Sequence, residues 1–295
     1  MSLLSFVLFA CAPKEEVSFN DDAGLSEDTA YPLDTTEDDT DGGDEDPQLE
    51  YSGGDCPDFS EGNMDFESAG KTRSLRVELP DDPQGAPVLF AWHWLGGTAD
   101  QIVSEFRLPA TADDEGVIVV APDSCCGDYE WQFTDPPEGN VDLAVFDDAL
   151  ACLYEQYDVD LDRVWATGMS AGGLWTSYLT IHRADRLAAS APFSGGAFAN
   201  DYVTPAAPIP VLLTWGGPSD VYSGFSFDDA NQTFSEYLQD DGHFVIECIH
   251  DLGHTVPYEA ADYLMPFLTA HPRGVSPEPY VDGLPGEFPD WCSIP

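Results

Sequence analysis

Arg163-Val164-Trp165-Ala166-Thr167-Gly168-Met169-Ser170-Ala171-Gly172-Gly173-Leu174-Trp175-Thr176-Ser177-Tyr178-Leu179-Thr180-Ile181-His182 is the stretch that decides the fold. Arg163 to Thr167 is an apolar run suited to a strand, and Leu174 to His182 suits a helix. Between them lies Gly168-Met169-Ser170-Ala171-Gly172, a Gly-x-Ser-x-Gly pattern in the strand–turn–helix setting that gives it meaning. So sharp a turn strains the serine backbone, and small residues at Gly168 and Gly172 let neighbouring backbone come close. The Ser170 hydroxyl then stands clear at a helix N-terminus, where unpaired N–H groups and the positive dipole end can face a developing oxyanion. Ser170 is therefore the candidate nucleophile.

A serine nucleophile needs a base, and the base needs a group to orient it. On α/β-hydrolase scaffolds the acid and then the histidine follow the serine along the chain. Ile209 to Trp215 suits a buried strand and runs into Gly216-Gly217-Pro218-Ser219-Asp220. That places Asp220 at a strand's C-terminal end, where ligand-facing groups collect in open α/β sheets. Phe244 to Ile249 suits another strand, followed by a loop carrying His254. Ser170, His254 and Asp220 are thus expected as nucleophile, general base and orienting carboxylate. Asp228 and Asp229 suit the first turn of a helix from Ala230 to Leu238. Asp251 lies too close in sequence to His254, and His250 sits at the strand end itself. His243 reads as a surface turn, and His182 and His271 as surface residues near helix ends.

Pro87-Val88-Leu89-Phe90-Ala91-Trp92 suits a central strand opening into His93-Trp94-Leu95-Gly96-Gly97-Thr98. A backbone N–H of Trp94 or Leu95, with that of Ala171, is expected to form the oxyanion hole.

From about Lys71 to Thr269 the chain resembles the polyhydroxybutyrate depolymerase-like and feruloyl esterase-like secreted esterases. The match rests on His93-Trp94-Leu95-Gly96-Gly97, on Asp160-Leu161-Asp162-Arg163-Val164 running into Gly168-Met169-Ser170-Ala171-Gly172-Gly173, on the Asp220 loop, and on Gly253-His254-Thr255-Val256-Pro257. The resemblance implies the oxyanion loop, nucleophile elbow, acid loop and base motif in those places. One departure is Trp94, where the family usually has glycine. The family's aromatic segment corresponds to Tyr129-Glu130-Trp131-Gln132, which implies that Trp131, like Trp94, lines the substrate pocket.

The remaining pattern suits a single-domain α/β-hydrolase with a mostly parallel, doubly wound sheet. Gly116 to Ala121 and Leu187 to Pro192 suit strands. Leu143, Phe146, Leu150, Leu153 and Tyr157 mark one helix face, and Ala260 to Leu268 forms a closing helix. The sequence carries no zinc-type His/Cys spacing, P-loop or dinucleotide fingerprint, so neither metal nor cofactor is expected.

Residues 1–11 read as a short signal segment, with Leu8-Phe9-Ala10-Cys11 resembling a bacterial lipobox that would lipidate Cys11. Residues 12–53 read as a disordered linker: Glu15 to Glu50 holds 15 acidic residues and no basic one. Its Asp38-to-Asp44 cluster lacks the spacing of a calcium loop. Residues 54–295 are assigned to the esterase domain. The 295-residue chain has a formal net charge of −47, and 51–295 alone holds 41 acidic and 8 basic residues. Such a surface argues against nucleic acid or an anionic membrane as partner and would suit a high-salt habitat. A lipid anchor is the expected route to the membrane. Seven cysteines leave six beyond Cys11, suggesting up to three disulfides with Cys292 tied to Cys248 or to one of Cys125 and Cys126, and a Cys125–Cys126 bridge disfavoured.

The expectation is a monomeric, secreted or surface-tethered serine carboxylic ester hydrolase acting on an ester substrate, possibly polymeric. Feruloyl, acetyl and hydroxyalkanoate esters all stay open. A peptidase or acyltransferase on the same scaffold, or a catalytically idle binding lipoprotein, are the alternatives.

Overall fold

The computed structural model describes residues 49–198 and 201–295, so the expectations for Cys11 and the acidic cluster at 38–44 lie outside the described residues. Strands in chain order are β1 (Gly62–Ser68), β2 (Lys71–Glu78), β3 (Val88–Trp92), β4 (Ile118–Pro122), β5 (Val164–Met169), β6 (Ala189–Phe193), β7 (Val211–Trp215), β8 (Val221–Tyr222), β9 (Phe225–Ser226), β10 (Val245–Ile249) and β11 (Cys292–Ser293). Helices are α1 (Ala99–Glu105), α2 (Leu108–Glu115), α3 (Val141–Tyr157), α4 (Ala171–His182), α5 (Phe227–Asp240) and α6 (Ala260–Ala270).

Nine strands form one sheet in the order β1-β2-β4-β3-β5-β6-β7-β10-β11. The central run from β4 to β10 is parallel, and the antiparallel pairs sit at the two edges. The period-2 alternation of a strand divides its side chains between two cores. Val88, Phe90 and Trp92 of β3 pack with α3, α4 and α5 on one face. Leu89 and Ala91 pack with α1, α2 and α6 on the other. Because both faces are covered, the central strands are buried throughout rather than alternating. This is the doubly wound sheet that the alternating pattern predicts.

The edge hairpin of β1 and β2 carries a buried ion pair, Arg73 to Asp142 at 2.5 Å. The chain is already attached upstream of it. Ser52 donates through its amide and hydroxyl to the Asp148 carboxylate at 2.8 and 2.7 Å, and the Tyr51 hydroxyl donates to the Glu67 carbonyl at 2.6 Å.

The three disulfides among the described residues are Cys56–Cys152, Cys125–Cys126 and Cys248–Cys292. The last is one of the pairings expected. The bridge between adjacent Cys125 and Cys126 corrects the expectation against it: the bend after β4 lets neighbouring side chains meet. His243 and His271 are also not surface residues. His271 caps the end of α6 and is fully buried, with its ring nitrogens on the Phe267 carbonyl and the Glu278 carboxylate. His243 is buried against the Ile209 backbone.

Candidate active site

The elbow is built by close backbone approach. Ser170 has φ 58° and ψ −118° between β5 and α4, a conformation a non-glycine residue holds only when its surroundings enforce it. The Phe193 carbonyl accepts its N–H at 2.9 Å. A Cβ on Gly172 would lie 2.0 Å from the Trp92 carbonyl oxygen, so the strand-to-helix crossing closes only around glycine.

The acid and base loops meet by the same device. A Cβ on Gly216 would lie 2.2 Å from the Gly253 carbonyl oxygen. The contact brings the end of β7 against the loop after β10, so that Asp220 and His254, 34 residues apart, face each other. His254 Nδ1 lies 2.7 Å from Asp220 Oδ1, and its Nε2 lies 2.8 Å from Ser170 Oγ. A carboxylate only accepts, so Nδ1–H donates to Asp220 and the bare Nε2 accepts from the Ser170 hydroxyl. The structure thus brings together the three side chains singled out in the sequence. Asp220 is fully buried, and the His254 ring is flanked by Phe227 at 4.4 Å and Tyr222 at 5.6 Å between centroids.

The other acids and imidazoles lie elsewhere. Asp228 and Asp229 occupy the first turn of α5, and Asp228 accepts from Trp215 Nε1 at 2.7 Å. His250 is buried, its Nδ1 accepts from the Leu252 amide, and burial pushes its pKa down against the pull of nearby Asp220.

The loop after β3 is fixed from several sides. His93 Nδ1–H donates to the Trp94 carbonyl at 2.8 Å, and the Gly97 amide donates to the same oxygen at 2.8 Å. With the Trp94 carbonyl held this way, the trans peptide turns the Leu95 N–H to the opposite side. His93 Nε2 accepts from the Ser124 amide at 3.1 Å, which fixes the tautomer.

Two cavities meet at Ser170. One of about 470 Å³ is lined by Leu95, Tyr129, Phe133, Phe198, Phe225 and Phe227 among others, together with Ser170 and Ala171. The second, of about 360 Å³, is more polar and bounded by Trp94, Leu95, Glu105, Tyr222, His254 and Thr255. Trp94 lines the second. Trp131 does not line either: it is 1% exposed, donates from Nε1 to the His93 carbonyl at 2.8 Å and packs edge-on against Trp92. Its role is structural, because an indole beneath the loop can satisfy its one donor only on that backbone. The ring-rich Tyr222 to Phe227 stretch was not singled out from the sequence, although its three aromatics in six residues were there to be seen. Among the described residues no group of three or more His, Cys, Asp or Glu side chains is placed to hold a metal ion.

The sheet order and the elbow after its central strand are those of the α/β-hydrolase fold. Solved structures share this fold. The chain superposes on one titled sOPH Native with a TM-score of 0.65 at 19% identity, covering 84% of this chain and 97% of that one. An S-formylglutathione hydrolase from Agrobacterium tumefaciens gives 0.56 at 15%, covering 72% and 97%. No protein-family model matches the chain. Among curated relatives it is 32% identical over 130 residues to feruloyl esterase B of Thermothelomyces thermophilus, covering 42% of this chain and 44% of that protein. It is 27% identical over 155 residues to the bifunctional acetylxylan esterase/xylanase XynS20E of Neocallimastix patriciarum, covering 52% and 22%. An oxidized polyvinyl alcohol hydrolase of a Sphingopyxis species is 21% identical, covering 76% and 82%. The chain thus spans less than half the length of the first two relatives. The resemblance to feruloyl esterases expected from four motifs is borne out.

Proposed function

We propose that this chain is a serine carboxylic ester hydrolase acting through an acyl-enzyme. The observation that carries the reading is the Ser170–His254–Asp220 relay, 2.8 and 2.7 Å at its two links, at the base of an aromatic cavity. His254 takes the Ser170 proton as Oγ attacks the ester carbonyl, then returns it to the leaving alkoxide. Water activated by the same imidazole releases the acid. Ala171 and Leu95 N–H groups hold the oxyanion, with Leu95 preferred over Trp94 by the direction of its peptide.

The 470 Å³ cavity is walled by Tyr129, Phe133, Phe198, Phe225 and Phe227, which favours an aromatic acyl group such as feruloyl over acetyl. This agrees with the names of the feruloyl esterase relatives. A second reading, hydrolysis of an oxidized polyvinyl alcohol-type polymer, is favoured by the 82% of that hydrolase which the match covers. Three disulfides suit an extracytoplasmic location, with Cys11 as the proposed lipid anchor.

Ser170→Ala is expected to abolish ester turnover and fluorophosphonate labelling while the folded signature is kept, and His254→Ala to do nearly as much. Full activity in Ser170→Ala overturns the reading. A panel of feruloyl, acetyl and hydroxyalkanoate esters beside oxidized polyvinyl alcohol separates the substrate classes.

A further inference from the structure

β6 lies between β5 and β7 in the sheet, and so between the strand that delivers the nucleophile and the strand that delivers the acid. Its last residue, Phe193, accepts the Ser170 amide, and the next residue, Ser194, donates its own amide to the Thr214 carbonyl at 2.7 Å. Ser194 has φ 42°, a left-handed conformation unfavourable for serine, and is 1% exposed. Its hydroxyl donates to Asp220 Oδ2 at 2.7 Å. The Gly216 amide donates to the same oxygen at 2.9 Å, while Oδ1 is left to His254.

We propose that Ser194 is a fourth member of the relay, a positioning residue that locks the Asp220 carboxylate so that Oδ1 alone faces the imidazole. This rests on the esterase reading above. The Asp220 carboxylate is fully buried, so protein groups must supply what water would. Two donors on Oδ2 stop rotation of the carboxylate and spread its charge. Ser194 makes this contact from a strained backbone. Without it the carboxylate pivots and its charge is less dispersed. The His254–Asp220 pair then holds a proton more tightly, and the base is freed only at higher pH. Two imidazoles feel this charge: His254, in direct contact, and buried His250, which Asp251 and Glu259 also influence.

The test is Ser194→Ala and Ser194→Gly in the disulfide-intact protein, with ester hydrolysis followed across pH. Both variants are expected to lose about tenfold in kcat with KM little changed, and to move the acid limb of kcat/KM to higher pH. Glycine suits φ 42° better than serine, so Ser194→Gly folds even if Ser194→Ala does not. A Ser194→Gly variant with wild-type kcat and an unmoved acid limb overturns the proposal, leaving Ser194 a purely structural residue. Ser170→Ala run alongside keeps the two readings apart. If it stays active, the esterase reading falls and this one with it. If it is dead while Ser194→Gly matches wild type, only the fourth member is lost.

Discussion

Both carboxylate oxygens of Glu130 lie 3.0 Å from the amide nitrogen of Gly96. Glu130 has φ 74°, so the loop after β4 bears a strained residue where it clasps the loop after β3. The clasp holds the turn that carries the Leu95 N–H, the oxyanion donor proposed above. Glu130→Ala is expected to cut kcat/KM about tenfold or more, the order of effect seen when an oxyanion donor is loosened. Glu130→Gln keeps one acceptor oxygen and should recover much of the loss. Steady-state kinetics on one soluble ester checks both, and an unchanged kcat in Glu130→Ala would show that the clasp does not bear on the donor.

The aromatic cavity makes a claim about selectivity. Phe198 and Phe225 pack at 5.5 Å between centroids on its wall. Phe198→Ala is expected to raise KM for feruloyl esters by about tenfold, on the scale of a lost aromatic contact, and to leave acetyl ester turnover nearly unchanged. Equal losses on both esters would place the acyl group in the other cavity.

Burial pushes the pKa of His182, His243 and His250 below the ordinary value of 6.5. Their unfolded forms bind a proton below about pH 6.5 that the native forms refuse, so stability is full above that value and falls as pH drops below it. Urea midpoints measured between about pH 7.5 and pH 5 should therefore decline, the urea slope staying constant. His243→Gln removes one of the three linked protons, and the decline should become shallower. A flat profile in the wild type would contradict the burial argument.

The Cys56–Cys152 bridge closes a loop with a sequence separation of 96, tying the chain ahead of β1 to α3. Removing it through Cys56→Ser with Cys152→Ser is expected to cost roughly 4.7 kcal/mol, the chain-entropy value for a loop of that length. Denaturant unfolding of the double variant measures it. Alkylation without reduction should leave all six described cysteines unmodified, and labelling of Cys125 and Cys126 alone would show the adjacent bridge to be open.

The sequence made the elbow legible because its requirements are local: a strand, a small-residue turn and a helix within about twenty residues. Asp220 and His254 were legible as candidates through order and through placement after apolar runs. Other parts of the site have no local signature. Ser194 looks like an ordinary serine before Gly195 and Gly196, and Glu130 like one more acid in a chain with 56 of them. The Trp131 expectation failed because an aromatic segment next to a site can face inward as easily as outward. Only the position of the His93 carbonyl decided between the two. His243 and His271 were misplaced for a related reason: neighbouring polar residues suggest a turn, but packing from distant strands and loops sets burial.

Taken alone, the chain determined its doubly wound sheet, the strained serine turn and the chain order of Ser170, Asp220 and His254. These follow from hydrophobic period and backbone sterics, which act over a few residues. Tertiary structure decided which oxygen of Asp220 meets which donor, which way the Leu95 peptide faces and which aromatics wall the cavity. Those are matters of hydrogen-bond direction and close approach between segments far apart in sequence, and they are fixed only when β6 slots between its neighbours and Gly216 meets Gly253.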